Sequence, residues 1–200
     1  MYCQFLQKEF ILKGISAAND DDLIIVSDVD EIPLASKIEE HKSYNGVSVF
    51  EQYLSFYFVN NICTHLNGES NTSHSIKNKD GFGFWRGSVM LPKKMIKDIK
   101  TTRIYRDLNQ SDLNIIPKSG WHMSYVGDVD HIIKKVESWA HKELNIPKYK
   151  DPENILKAIK EGYSLFDPET KFKVMDLQDP QLPFPEGLTK HMDHFKHLLA

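Results

Sequence analysis

Short apolar runs separated by polar breaks predict an α/β protein. Leu23–Val26 is four apolar residues in succession, the pattern of a short strand buried on both faces. Such a strand needs helices on both sides of its sheet. Ahead of it, Cys3–Ala17 sets Phe5, Phe10, Ile11, Leu12 and Ile15 at mostly helical spacing, and Asn19–Asp22 is a polar break. Behind it, Pro33 suits the first turn of a helix running to about His41. Gly46–Asn60 is rich in Val, Phe and Tyr and reads as one long or two shorter strands.

The polar stretch Gly68–Gly83 reads as a loop, and a long loop is often functional. Trp85–Leu91 and Trp121–Val126 read as strands, the first followed by Pro92 opening a short helix. Val129–Leu144 predicts a helix with Ile132, Ile133, Val136 and Trp139–Ala140 on one face. Asp151 and Pro152 are an N-cap and first-turn pair for a helix to about Gly162. From Asp167, Pro168, Pro180, Pro183 and Pro185 imply an extended wrap ending in a short helix. The expectation is a single domain over 1–200, with its core in 1–166 and the wrap in 167–200.

Composition narrows the function. A formal net charge of −3 with no Lys/Arg block argues against nucleic-acid binding. No apolar run reaches the roughly 20 residues of a membrane span. Two cysteines, Cys3 and Cys63, build no disulfide framework and fit a reducing compartment. With no signal sequence at Met1, the expected setting is the cytoplasm of a microbe or virus. The sequons at Asn71 and Asn109 are short enough to arise by chance.

The strongest candidate chemistry is Asp28-Val29-Asp30-Glu31-Ile32-Pro33 at the carboxyl end of the first strand, where open α/β sheets bind ligands. In an extended segment, residues two apart face the same side. Asp28 and Asp30 would then offer two hard oxygens to Mn²⁺ or Mg²⁺, and the metal would bridge diphosphate oxygens. The competing reading is an acidic loop that caps a helix, a role expected in particular of Glu31. His122, in Gly120-Trp121-His122, is a candidate third ligand or else a half-buried histidine beside a core tryptophan. His141 and Glu143 sit near a helix end, where His141 could bind acceptor or interact with the helix terminus. Trp85 could stack on a sugar or pack in the core, and Arg86 could pair with phosphate.

Taken together, DDDLIIVSDVDEIP, WRG, GWHMSYVG, SWAHKE and DPENILKAIKEGYSLFD resemble glycosyltransferase family 17 in order and content, from about Asp20 to Phe166, with weaker similarity into LPFPEGL. The resemblance implies a GT-A-like α/β fold, a mixed sheet flanked by helices. It implies a UDP-sugar donor, UDP-GlcNAc, and inverting transfer of N-acetylglucosamine to a mannose-type hydroxyl of a glycan acceptor. Asp28 and Asp30 would carry the metal role of the family's D-x-D, completed by His122. Trp85, Arg86, Trp121 and His141 would line the substrates. Glu143 or Asp107 would be the base that an inverting attack requires, with Glu31, expected rather to cap a helix, as a third option. Only one helix precedes the D-x-D strand, whereas the family has further βα units there, so the expected domain is N-terminally incomplete, and the resemblance implies the Golgi lumen if the chain is a piece of a eukaryotic enzyme. Two alternatives stand beside this reading. One is an inactive, carbohydrate-binding remnant of the family. The other is a haloacid-dehalogenase-like phosphatase with Asp28 as nucleophile.

Overall fold

In the computed structural model, residues 10–67, 78–108, 111–138 and 141–200 are described. They form a mixed α/β structure of two compact units. The chain passes between the units within three strands, at 52/53, 84/85 and 122/123. No helix among the described residues is long and apolar enough to cross a membrane.

The first unit begins with a helical segment at 10–14; the rest of the helix expected over Cys3–Ala17 lies outside the described residues or in turns. Strand β1 (Leu23–Val26) follows as expected, but among the described residues it stands at the end of the strand order. Its described partner is β6 (Phe82–Pro92), antiparallel, and Ile25 is more than one-third exposed. Among the described residues the run is only partly covered, with Val26 its one buried residue.

The predicted start of the next helix is also displaced. Residues Glu31–Pro33 form β2, and the helix α1 spans Ala35–His41 behind it. Pro33 ends a strand, where its missing N–H is tolerated. β3 (Ser48–Phe56) gathers most of the predicted Gly46–Asn60 run and pairs in parallel with β7 (Asn114–Ile116). Between β6 and β7, Asp98 caps α2 (Ile99–Ile104) by accepting the Thr101 N–H at 2.6 Å. β8 (Gly120–Ser124) runs antiparallel to β2. Val47, Val49, Val89, Leu91 and Leu113 form one core of this unit, and Phe50, Met90 and Ile116 another.

In the second unit β4 (Asn61–His65) pairs with the end of β3 and with β9 (Lys171–Val174), a strand inside the stretch expected to be an extended wrap. Asn78–Lys79 (β5) forms a hairpin with the start of β6 through Asp80–Gly81, both at positive φ as a two-residue turn of this kind requires. The expected loop over Gly68–Gly83 therefore ends earlier. α3 covers Val129–Ser138; Trp139 and Ala140 lie outside the described residues, and Lys142–Leu144 is a separate 3-10 turn. α4 (Pro152–Glu161) is capped as predicted, by Asp151 at its start and by Gly162 at φ 67° at its end. Two short helices, α5 (Glu186–Lys190) and α6 (Met192–Phe195), close the chain. The core here is aromatic: Phe56, Tyr57, Tyr125 and Phe172, covered by Ile132 and Val136 of α3 and Ile155 and Ala158 of α4.

Candidate active site

β1 delivers the chain to a turn, not to further extended backbone. The Glu31 N–H donates to the Asp28 carbonyl at 3.0 Å, and Val29 stands fully exposed at the tip. Asp28 and Asp30 are thereby given different neighbours, a correction to the expectation that extended spacing aims both at one point. The Asp28 carboxylate is paired with Arg103, and Arg106 Nη1 lies 3.8 Å away. Asp30 Oδ2 instead lies 3.7 Å from His122 Nε2.

The position of His122 follows from strand register. Antiparallel pairing sets Glu31 opposite His122, Ile32 opposite Trp121 and Pro33 opposite Gly120, so His122 arrives beside the turn. The glycine of Gly-Trp-His is required sterically: at φ 149°, a Cβ on Gly120 would stand 2.2 Å from the Ile32 carbonyl oxygen. The His122 ring then meets the edge of Trp85, centroids 4.6 Å apart at 65°.

Glu31 caps no helix, another correction. It lies in β2, and α1 starts without a side-chain cap. Its carboxylate has no exposed surface. It accepts the Asp28 N–H (2.9 Å), the Trp85 indole N–H (3.1 Å) and Arg106 Nη1 (3.3 Å). Gly87 makes room for it, since a Cβ there would stand 2.8 Å from Glu31 Cδ and 2.1 Å from Gln52 Oε1. The Trp-Arg-Gly segment is thus legible on strand geometry: Trp85 and Gly87 share the face toward Glu31. Arg86 is buried and donates to Glu51 (3.2 Å) and to the Leu108 carbonyl (3.2 Å). Burial, and secondarily the charge of Arg103, hold the Arg106 pKa below the usual arginine value, while Glu31, Asp28 and Asp107 raise it.

The remaining candidates divide. Trp121 is a core residue of β8, almost fully buried. Asp107 lies in the 3-10 turn Tyr105–Asp107, close enough to Arg106 to favour its charge. His141 and Glu143 belong to the second unit, where they pair with each other at 2.7 Å on exposed surface. A hydrogen bond from its own backbone N–H, then His141, holds the Glu143 carboxyl below the ordinary range. Sequence reasoning missed Arg103 and Arg106. Their three-residue spacing after the Asp98 cap was the available signal, since residues three apart share a helical face.

Among the described residues no group of three or more His, Cys, Asp or Glu side chains could hold a metal ion by itself. Asp30 and His122 nevertheless fit part of a shell, because Mg²⁺-type ions take one or two protein carboxylates and draw the rest from phosphate and water. No curated protein and no solved structure matches the chain. The profile of glycosyltransferase family 17 matches residues 4–199, nearly the whole length, which removes the phosphatase alternative. That match decides the reading, and the mixed α/β fold agrees with it: the chain belongs to glycosyltransferase family 17.

Proposed function

We propose that this glycosyltransferase uses UDP-N-acetylglucosamine, and that it transfers the sugar with inversion to a mannose-type hydroxyl of a glycan, assisted by Mn²⁺ or Mg²⁺ at the D-x-D turn. The observation that carries the reading is the Asp30–His122 pair, an oxygen and a nitrogen donor 3.7 Å apart beside a solvent-facing turn. An ion bound there would supply charge neutralisation for the departing diphosphate. Asp30 and His122 would hold it, with Asp28 joining only if it exchanges an arginine for the ion. Arg103, already at the turn, gives the same region a cation suited to phosphate.

The chemistry left to the protein is orientation and one proton transfer. The acceptor oxygen attacks the anomeric carbon as the bond to the diphosphate oxygen breaks, and the hydroxyl proton passes to a carboxylate base. Asp107 is the better-supported base: it shares the first unit with Asp30, whereas Glu143 is made less basic by its own turn and His141. Calorimetry of UDP-GlcNAc with and without MnCl₂ tests the reading. Binding should require the metal and be lost in Asp30→Ala. A folded protein that binds no nucleotide sugar under either condition would sink it and leave the carbohydrate-binding remnant.

A further inference from the structure

We infer that Glu31 and Arg106 are positioning residues, a buried strut that sets the D-x-D turn and, through Trp85, the ring of His122. The inference rests on the donor-site reading of the turn and adds how the turn is held. Neither side chain is placed to touch a substrate: Glu31 has no exposed side-chain surface and Arg106 very little. Their contacts instead run outward to the residues that are. One Glu31 oxygen takes the backbone N–H of Asp28, which fixes the start of the turn. The other takes the Trp85 indole, whose ring lies edge-on to His122, and Arg106. Three donors from three separate chain segments converge on one carboxylate.

Stability alone is a poor explanation for this arrangement. Desolvating two charges costs several kcal/mol per ion, and well-packed apolar groups often serve a core as well or better. A buried pair does, however, impose a direction, because hydrogen bonds are angular and apolar contacts are not. The strut also constrains its surroundings: β6 carries a glycine at position 87 where any Cβ would collide with the Glu31 carboxyl group.

The test is donor binding by the full 200-residue chain, with UDP-GlcNAc and MnCl₂ as probe. Glu31→Gln keeps the shape and removes the charge. It should weaken binding at least tenfold while speeding amide exchange at Asp28 and at the Trp85 indole. Ser119→Ala is the stability control. Its buried hydroxyl, bonded to the Ile116 carbonyl at 2.7 Å, lies in the same unit outside the site, so its loss should leave the dissociation constant within twofold. In Glu31→Gln/Arg106→Gln the buried charge is gone, but the single amide oxygen still cannot accept both the Asp28 N–H and the Trp85 indole N–H, so affinity should stay at least tenfold below the parent. If Glu31→Gln does not fold, the double variant carries the test alone: weakened binding with faster amide exchange at Asp28 supports the strut, and affinity within twofold of the parent overturns it. Unchanged affinity in Glu31→Gln, with binding abolished in Asp30→Ala, overturns the strut and leaves the donor site standing. Unchanged affinity in both overturns the donor-site reading itself.

Discussion

A buried hydroxyl in the second unit and a buried ion pair in the first are held in opposite ways. In the second, the Tyr57 hydroxyl sits in an aromatic core but is fully used, donating to the Tyr163 carbonyl (3.0 Å) and accepting the Leu165 N–H (2.8 Å). It is neutral, and burial pushes its pKa above the usual tyrosine range. In the first, the Glu31–Arg106 pair is charged, and it sits directly behind Asp28, whose side chain is half exposed. A neutral, locally satisfied group serves the core that contains it. The role inferred for the Glu31–Arg106 pair is instead to hold the turn in front of it.

Removing whole groups should break both units. Glu31→Ala strands the Arg106 charge and should cost about 3–5 kcal/mol in denaturant unfolding. Phe56→Ala, in the middle of stacked and edge-on contacts with Tyr57, Tyr125 and Phe172, should cost a similar 3–5 kcal/mol, about as much as any large aromatic lost from a core. Milder changes in the second unit sharpen the contrast. Tyr57→Phe leaves the Leu165 N–H without its acceptor and should cost about 1–3 kcal/mol, yet leave nucleotide-sugar affinity unaltered in calorimetry. Asp151→Ala removes the α4 cap and should cost about 1 kcal/mol, again with binding intact. The smallest effect is on reactivity. Burial pushes the Cys63 thiol up to about 12, so the folded protein at pH 8 should resist alkylation at Cys63 by mass spectrometry, and denaturant should restore it.

Local signals were the legible ones. Asp151, Pro152 and Gly162 bracket α4 because caps and left-handed glycines act within a turn or two of their own position. The Asp80–Gly81 hairpin was equally local, but it was hidden by the polar stretch before it. β1 is legible as a strand but not in its burial, because four apolar residues do not say how many neighbours a strand has. β9 is hidden since Lys171, Lys173 and the prolines around it outweigh a single buried Phe172; its pairing with β4, over a hundred positions earlier, makes the strand. At the site, Asp30 and His122 are legible from motif and family order, and the structure sets them side by side. A helix-capping role for Glu31 rested on the nearest helix, the only partner visible in sequence. Its actual partners, Trp85 and Arg106, are 54 and 75 residues away.

That separation has a consequence in time. A ribosome adding roughly 5–20 residues per second emits Glu31 several seconds before Arg106 exists to meet it. For that interval the acidic run from Asp20 to Glu31 must stay hydrated, which its six carboxylates, at Asp20, Asp21, Asp22, Asp28, Asp30 and Glu31, allow. Among the described residues the first unit joins the chain up to Gln52 with Trp85–His122, and the second needs segments of which the last starts at Met123, so neither can close until His122 has emerged. A nascent chain halted at residue 100 would hold its D-x-D turn in water with neither Arg103 nor Arg106 made. Arrested ribosome complexes of increasing length should therefore show Trp85 indole protection only after Arg106 has cleared the exit tunnel.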